Sequence, residues 1–339
     1  MSNLDIGIDV GIDLGTSAVK IFTPGRGIVL NEPAVVAVDR DTDDILAIGS
    51  EAYKMLGRTS DRIAAVYPLR DGVISNYELT EAMMTTFVKM VCGNKMIMPR
   101  VVVCVPIGVT EVEKQAMEEA VFRAGARRVS LIEEPLAAAL GSGLRVTGPK
   151  GKMIVDIGGG TTEVAVISLG GIVTSNSLRI AGDELDAAIV EHIRTTRGIL
   201  IGDMTAEELK VRIGTVHPDI DRGSLTVSGM SMQRRMGVTL EVQSRELYEA
   251  LSPAIEQIVA TVKQTLEQTP PELSSDLYDF GILLTGGGAL LPGLARLITE
   301  RTGVRTQIAK RPMESVCNGI LRIISTTTDG DGLLRYRER

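Results

Sequence analysis

The feature that most constrains this chain is a short polar turn that occurs twice, each time after an apolar strand pattern. The first copy, DLGTS, spans residues 13–17, and the second, DIGGGTT, spans residues 156–162. A second apolar stretch follows each turn, at residues 18–22 and 163–167, which predicts a β-hairpin. P-loop and dinucleotide-binding turns instead connect a strand to a helix. The pattern therefore predicts two similar halves, each containing such a hairpin.

The residue types of these turns suit a phosphate chain. Glycine lets backbone N–H groups approach an anion closely, threonine and serine add hydroxyl donors, and an aspartate at a strand end can hold a metal ion through water. The candidates are Asp13, Gly15, Thr16 and Ser17 in the first turn and Asp156, Gly158, Gly159, Gly160, Thr161 and Thr162 in the second. Two copies in the same strand context favour a nucleotide held by two similar half-molecules.

The first strand leaves one ambiguity in the position of its turn. Apolar residues alternate with Asp or Gly over residues 4–15, which is a strand signal. Because GID occurs at 7–9 and again at 11–13, a slip of four residues would keep every side chain on its face. Only the second copy leads into Thr16 and Ser17, so we assign the turn there.

Composition narrows the class of protein. The 339-residue chain is 44% hydrophobic and 23% charged, which is typical of a folded globular protein of about two domains. Its net charge of -7 argues against nucleic-acid partners, since binding to a phosphate backbone requires a clustered positive surface. Cys92, Cys104 and Cys317 are isolated, and His192 and His217 lack metal-ligand spacing. With no signal-peptide pattern and no long apolar stretch, we expect a reducing cytoplasm.

Strand and helix patterns alternate between the two turns. Residues 100–106 have the apolar run of a buried strand, and a helix begins after a capping box formed by Thr110 and Glu113. A short strand at 129–134 then meets a helix whose first residue is predicted to be Pro135. This order of elements predicts an α/β fold.

Two neighbouring carboxylates, Glu133 and Glu134, lie where that strand ends and the helix begins. This is the region of an α/β sheet where ligands bind. A carboxylate there could orient a water molecule for attack on a terminal phosphate, since phosphoryl transfer depends on positioning and electrostatics. The alternative is a solvated acidic pair that the helix dipole stabilises.

Two later segments add candidates for nucleoside binding. A helix is predicted to start at Thr205, with Thr205 and Glu208 as a capping box, and Glu207 and Lys210 share one of its faces. They could grip a ribose or adenine, or form an ordinary i,i+3 ion pair. A strand at 280–284 runs into TGGGA, whose glycines would let backbone pack flat against a nucleoside, and a helix is predicted from about Pro292.

Longer strings resemble one known family. In chain order they are IDLGTS, IEEPLAAALG, DIGGGTTEVAVIS, AGDELD, TAEELK and LLTGGGALLPGL, and NEPAVVAVD, MLGR, PLRDGVI and LEQTPPEL add to them. They resemble the MreB family of bacterial actin homologues over nearly the whole chain. The wider superfamily of actin, chaperones and sugar kinases shares only the phosphate turns and the late glycine loop. The resemblance implies an actin-like ATPase fold, with two similar α/β domains around a nucleotide cleft.

The family fold implies a division of the chain as well. Domain I would comprise residues 1–145 and a C-terminal helix at about 313–339, with a smaller subdomain at about 32–64. Domain II would comprise residues 146–312, with a smaller subdomain at about 180–252.

Site roles follow from the same resemblance, with ATP and Mg²⁺ as the implied cofactors. Asp13 and Asp156 would hold Mg²⁺ through water, and the glycines and hydroxyl residues of both turns would cradle the phosphates. Glu134 would orient the attacking water, with Glu133 as the second choice. The remaining implied nucleotide contacts are Gly182, Asp183, Glu207, Lys210, Gly286, Gly287, Gly288 and Ala289.

The resemblance implies a cytoskeletal filament on the inner face of the cytoplasmic membrane, which organises cell-wall synthesis and rod shape through membrane proteins. The resemblance also implies that subunits stack head to tail into protofilaments that pair antiparallel. Head-to-tail contacts are heterologous and do not close, so they produce filaments. Weak ATP hydrolysis would loosen the filament rather than serve metabolism. Met96, Ile97 and Met98 are a candidate membrane-inserting loop, and equally a candidate start of the strand that follows.

Other members of the superfamily provide the alternatives. A heat-shock-type chaperone needs a substrate-binding domain after the nucleotide domain, and we expect none here because few residues follow Gly288. A small-molecule kinase needs a pocket with a catalytic base, and the sequence offers no distinctive candidate. An actin-like filament ATPase with another duty, such as plasmid partition or organelle positioning, stays open. The strings do not separate the MreB and Mbl paralogues.

Overall fold

The computed structural model describes residues 9–70, 72–93, 99–325 and 337–338. The chain divides into two compact units. Unit 1 comprises Met1–Arg145 and Glu314–Arg339, and unit 2 comprises Val146–Met313.

Unit 1 combines a main sheet with a smaller one. Its strands are β1 (Asp9–Leu14), β2 (Ala18–Thr23), β3 (Gly27–Pro33), β4 (Val36–Asp39), β5 (Ile45–Ile48), β6 (Ile63–Val66), β7 (Leu69–Arg70), β8 (Val73–Ile74), β9 (Arg100–Val105), β10 (Arg128–Glu133) and β19 (Arg337–Glu338). Its helices are α1 (Ser50–Tyr53), α2 (Tyr77–Cys92), α3 (Glu111–Arg123), α4 (Glu134–Gly141) and α10 (Ser315–Ser325).

Unit 2 is built in the same way. Its strands are β11 (Lys152–Ile157), β12 (Thr162–Ser168), β13 (Gly171–Leu178), β14 (Ile199–Leu200), β15 (Ser224–Ser231), β16 (Gly237–Gln243), β17 (Ile282–Thr285) and β18 (Thr306–Ile308). Its helices are α5 (Gly182–Arg197), α6 (Asp203–Ile213), α7 (Ser244–Gln268), α8 (Pro271–Phe280) and α9 (Leu294–Thr302), with a 3₁₀ turn at Gly288–Leu290. A second 3₁₀ turn, Pro312–Glu314, spans the boundary between the two units.

The two main sheets repeat one topology. The order is β3-β2-β1-β9-β10-β19 in unit 1 and β13-β12-β11-β17-β18 in unit 2, so the first five strands correspond and β19 is added at one edge. In each sheet the strand that precedes a polar turn, β1 or β11, pairs antiparallel with the next strand in sequence. On its other side it pairs parallel with a strand that follows a long connection, β9 or β17. The predicted α/β fold with two similar halves is confirmed.

Buried apolar faces hold each main sheet against its helices. In unit 1, Val101 and Val103 of β9 lie in one cluster with Met83 and Phe87 of α2. Burial on both faces explains why β9 reads as a continuous apolar run rather than an alternating one. In unit 2, Val155 on β11 belongs to a second cluster that also contains residues of α5 and α7.

A small three-stranded sheet accompanies each main sheet. In unit 1 its order is β5-β4-β6, and Ala37 of β4 lies in a small core with Ala52 of α1. In unit 2 its order is β14-β15-β16. The subdomain boundaries that the family resemblance implies stay a prediction.

The capping box before α3 is confirmed. The Glu113 N–H donates to Thr110 Oγ1 at 3.3 Å, and the Thr110 N–H donates to Glu113 Oε2 at 2.7 Å. Pro135 is the second helical residue rather than the first, because α4 already begins at Glu134.

The predicted start of α6 is wrong. The helix begins at Asp203, two residues before Thr205, and Gly202 takes the N-cap position in an extended conformation. The backbone N–H groups of Thr205 and Ala206 both donate to the Gly202 carbonyl, at 3.0 and 3.1 Å. With the first turn already closed in this way, Glu208 pairs with Arg212 at 2.9 Å instead of forming a capping box.

The glycine loop after β17 also differs from the pattern in its flanking elements. Phe280 ends α8 rather than starting the strand, because Gly281 takes a positive φ of 81°. A 3₁₀ turn at Gly288–Leu290 follows the loop, so α9 begins at Leu294 instead of near Pro292. Among the described residues, no helix is long and apolar enough to cross a membrane.

Candidate functional site

The two polar turns have the same backbone geometry. In unit 1 the Gly15 N–H donates to the Ala18 carbonyl at 3.1 Å. In unit 2 the Gly158 N–H donates to the Thr161 carbonyl at 2.9 Å. Each bond closes a tight hairpin directly after a strand, and the assignment of the first turn to the second GID copy is confirmed. Because the bond uses the N–H of the first glycine, a bound anion must take its donors from later residues of each turn.

Asp13 lies at the end of β1 with two polar neighbours. Lys20, its partner across the hairpin, places Nζ 3.5 Å from Asp13 Oδ2. The Cys317 thiol of α10 donates to the same oxygen at 3.7 Å. Burial and the nearby Asp13 charge raise the pKa of this thiol, so Cys317 is a neutral donor. Asp13 is therefore fixed by contacts from both β2 and α10.

The hydroxyl residues of the first turn have different surroundings. Thr16 Oγ1 accepts a hydrogen bond from the Gly72 N–H at 3.0 Å, which leaves the hydroxyl hydrogen available for another acceptor. Ser17 is exposed, and its carbonyl accepts from the Ala34 N–H at 3.0 Å. The Thr16 hydroxyl is therefore positioned so that it can donate to an anion.

Glu133 and Glu134 lie at the same edge of the unit 1 sheet as the first turn. Glu133 ends β10, two strands away from β1, which is about 10 Å across a sheet. Glu133 is exposed and its side chain does not cap α4, whereas Glu134 is half-buried in the first turn of that helix. The half-buried residue has the more restricted side chain, as a water-orienting carboxylate requires.

Helix α10 fixes the position of α4 by close backbone packing. A Cβ atom added at Gly319 would lie 1.8 Å from the Ala137 carbonyl oxygen, and one added at Gly141 would lie 1.8 Å from the Ser315 carbonyl oxygen. Arg322 Nη1 also donates to the Leu140 carbonyl at 2.7 Å. Since α10 contacts Asp13 through Cys317 as well, one helix positions both parts of the unit 1 site.

The second turn is anchored to the start of α5. The N–H groups of Gly182 and Asp183 donate to the carbonyls of Gly158 and Gly159, at 3.1 and 2.8 Å. The Thr162 hydroxyl is fully buried and donates to the Ile180 carbonyl at 2.7 Å, so it stabilises the turn from behind.

Lys210 connects α6 to this anchor. Its ammonium group donates to the Gly182 carbonyl at 2.8 Å and to Asp186 Oδ2 at 2.7 Å. Burial raises the pKa of Asp186 to about 6, although the charge of Lys210 opposes this shift. Glu207, on the same face of α6, is exposed. The structure thus brings Gly182, Lys210 and the second turn together.

The glycine loop packs directly against the end of β11. Gly286 has a φ of 81°, and a Cβ there would lie 2.2 Å from the Ile157 carbonyl oxygen and 2.5 Å from Asp156 Oδ1. A Cβ at Gly288 would lie 2.3 Å from Ile157 Cγ2. A Cβ at Gly287 would have no atom within 4 Å. Ala289 is fully buried. Two of the three glycines are therefore required by packing, and Gly287 leaves open space.

Asp156 has a different cross-strand neighbour from Asp13. In the hairpin register Asp156 lies opposite Glu163, where Asp13 lies opposite Lys20. Asp156 and Glu163 are both buried, and two neighbouring buried carboxylates favour a bound cation. This donor chemistry fits Mg²⁺, which prefers oxygen ligands and retains waters. Among the described residues, no three His, Cys, Asp or Glu side chains form a direct metal-binding group.

Three residues that contact the candidate site, Lys20, Asp186 and Cys317, are not among the residues that the sequence predicts. A signal exists for Lys20, because a tight hairpin places it opposite Asp13. Asp186 is the last residue of the AGDELD string, one helical turn after Gly182, which puts both on one helix face. No local pattern points to Cys317, which reaches Asp13 from the other end of the chain. The candidate loop Met96, Ile97 and Met98 lies outside the described residues.

Comparisons with known proteins agree with this arrangement. A protein-family model described as "MreB/Mbl protein" matches residues 7–331 of this chain. The chain is 46% identical to the cell shape-determining protein Mbl of Bacillus subtilis, over 92% of this chain and 94% of that protein. It is 47% identical to the cell shape-determining protein MreB of Escherichia coli, over 92% and 91%.

Solved structures show the same similarity. A crystal structure of MreB5 of Spiroplasma citri bound to ADP superposes with a TM-score of 0.91 at 34% identity, and covers 96% of this chain and 98% of that one. The structure of the same protein bound to AMPPNP has a TM-score of 0.88 at 34% identity, over 95% and 97%.

Proposed function

We propose, because this chain belongs to the MreB/Mbl family of actin homologues, that it is an ATP-binding and ATP-hydrolysing filament protein that determines cell shape. The observation that carries the proposal is the pair of hairpin turns with the same closing hydrogen bond, each at the end of the equivalent strand of a repeated sheet. Mbl of Bacillus subtilis and MreB of Escherichia coli are named as cell shape-determining proteins, and the structural neighbour MreB5 of Spiroplasma citri is solved with ADP and with AMPPNP.

The phosphates take their donors from both turns in this proposal. Thr16, Ser17 and the later residues of the second turn donate to phosphate oxygens, while the buried Thr162 hydroxyl holds the turn in place. Asp13 and Asp156 would hold Mg²⁺ through water. Bound there, the ion would supply positive charge that offsets the phosphate charge facing the attacking nucleophile.

The nucleoside lies against the glycine loop and α6. Gly287 offers open space on a loop whose neighbouring glycines are packed against β11, which suits a flat contact with the nucleoside. Lys210 has used two of its three N–H donors within the protein, and the third donates to the ligand. Exposed Glu207 accepts from a ribose hydroxyl.

Hydrolysis depends on Glu134 in this account, because its carboxylate orients the attacking water. Replacing it in Glu134→Ala should leave nucleotide affinity unchanged and slow phosphate release by about 10²-fold or more, the size typical of a lost positioned acid or base. Glu133→Ala is the matched control, since it removes the neighbouring, more exposed carboxylate. Normal hydrolysis by Glu134→Ala together with inactive Glu133→Ala would reverse the assignment.

Assembly and membrane attachment complete the proposal. Copies stack head to tail into protofilaments, and ATP favours the assembled state. The filament lies on the inner face of the cytoplasmic membrane, which the apolar side chains of Met96, Ile97 and Met98 contact, and it organises cell-wall synthesis through membrane proteins. Many weak contacts along one filament sum to stable attachment.

A further inference from the structure

We propose that Asp186 is a positioning residue for nucleotide binding: it holds Lys210 so that Lys210 fixes the start of α5 against the second polar turn. The inference rests on the proposed function, because the ligand whose affinity it controls is the adenine nucleotide. Asp186 lies one helical turn into α5, and its Oδ2 atom is 2.7 Å from Lys210 Nζ.

A chain of three contacts connects Asp186 to the turn. Lys210 donates to the Gly182 carbonyl at 2.8 Å, while the Gly182 N–H donates to the Gly158 carbonyl at 3.1 Å. A Cβ added at Gly182 would lie 3.3 Å from the Gly158 carbonyl oxygen and 3.4 Å from Lys210 Nζ, so the three groups are in contact around one glycine. A displacement of the Lys210 ammonium group is therefore transmitted directly to the phosphate-binding turn.

Lys210 needs a carboxylate to remain in this place. The side chains of Lys210 and Asp186 are only 15% and 13% exposed. A charge with so little access to water is costly unless an opposite charge or hydrogen bonds compensate it. Without Asp186, the ammonium group would keep a single carbonyl acceptor, and its long flexible stem would let it turn toward solvent. Lys210 would then lose its hydrogen bond to the Gly182 carbonyl and its contact with the nucleotide.

The pair is not arranged for stability. Asp186 Oδ1 is buried without a hydrogen-bond partner. Burial raises the pKa of Asp186 to about 6 against the opposing effect of Lys210, and Glu207 and Asp183 raise it further. Because this pKa lies above the unfolded value, the folded state binds the proton more tightly, and stability falls as pH rises through 6. The charged carboxylate at neutral pH thus costs stability, and its benefit lies in positioning Lys210.

The test compares MgADP affinity and thermal stability of the full chain at pH 7.5. Asp186→Asn keeps the side-chain shape and removes the charge. We expect about tenfold weaker MgADP binding, the effect of losing one charged hydrogen bond, with little change in Tm, because the released ammonium group turns toward solvent. Glu184→Gln is the matched control, since it removes a carboxylate from the exposed side of the same helix, and it should match the unaltered chain in both measurements.

A pH series of the unaltered chain and of Asp186→Asn provides the second measurement. The affinity of the unaltered chain for MgADP should fall as pH decreases from 7.5 to 5, because Asp186 becomes protonated near pH 6 and releases Lys210. Asp186→Asn should lack this component, while titration of the nucleotide itself affects both proteins equally. Equal MgADP affinity of the two proteins, or a loss of affinity matched by a loss of Tm, would overturn the inference and leave the proposed function intact. Failure of the unaltered chain to bind MgADP would overturn both.

Discussion

Substitutions at single glycines of the loop after β17 distinguish glycines that packing requires from a glycine that leaves space for a ligand. At Gly286 the φ of 81° and the 2.2 Å approach of the Ile157 carbonyl to an added Cβ leave no room for alanine. Gly286→Ala should lower the free energy of unfolding by about 1–3 kcal/mol, because strain and overpacking add. Denaturant unfolding with and without MgADP measures the effect on the fold and on the ligand.

Gly287→Ala is the control for this prediction. Its φ is -66°, and nothing lies within 4 Å of the added carbon. Its unfolding free energy should stay within about 0.5 kcal/mol of the unaltered chain, which is typical of exposed substitutions. If both variants unfold alike, the loop is not held by contact with β11.

The residue scale also shows where sequence reasoning ends. Residue types and local spacing make Gly158, Gly286 and Lys210 candidates, because each is part of a local string. The partners of these residues follow from tertiary structure, as Asp186 does from the packing of α6 on α5. Thr162 shows that residue type alone does not fix a role. Its hydroxyl is part of a turn whose sequence suits phosphate, yet it donates to the Ile180 carbonyl of the protein itself.

At the scale of elements, the contact between α4 and α10 offers the sharpest prediction. Helix propensity favours alanine over glycine by about 1 kcal/mol within a helix. At Gly319 we expect the opposite sign, because the added carbon would lie 1.8 Å from the Ala137 carbonyl oxygen. Gly319→Ala should destabilise unit 1 by about 1–3 kcal/mol and slow ATP hydrolysis, since α4 carries Glu134.

A glycine in open space provides the comparison for Gly319→Ala. Gly148 has no atom within 4 Å of an added carbon and no positive φ, so Gly148→Ala should keep full stability in denaturant unfolding. An equally stable Gly319→Ala variant with normal hydrolysis would mean that α10 does not position α4.

Element types were predictable and some element boundaries were not. The hairpins, β9 and the capping box of α3 follow from periodicity and local hydrogen bonding, and they form as predicted. The start of α6 does not, because Gly202 can cap a helix without a side chain. Competing caps of similar free energy differ by too little for a local pattern to decide between them.

At the scale of the whole molecule, the repeated turn correctly indicates repeated architecture. Five strands of the unit 1 sheet have the same order as the five strands of the unit 2 sheet, with β19 added at one edge, and the strand that ends in the polar turn is the middle one of each five. The return of the chain to unit 1 as α10 is not visible in any repeat, and the actin-like division of the chain was inferred only by family resemblance. Filament formation is likewise a property of surfaces, which composition and periodicity do not specify.

Electron microscopy of the purified full chain tests the central claim of nucleotide-dependent assembly most directly. Samples with MgATP, with MgADP and without nucleotide are compared in solution and on anionic lipid. We predict paired protofilaments with MgATP, more abundant on lipid, and fewer with MgADP, because ATP favours the assembled state. Dispersed particles under every condition, from protein that binds nucleotide, would contradict the account and indicate a monomeric ATPase or kinase.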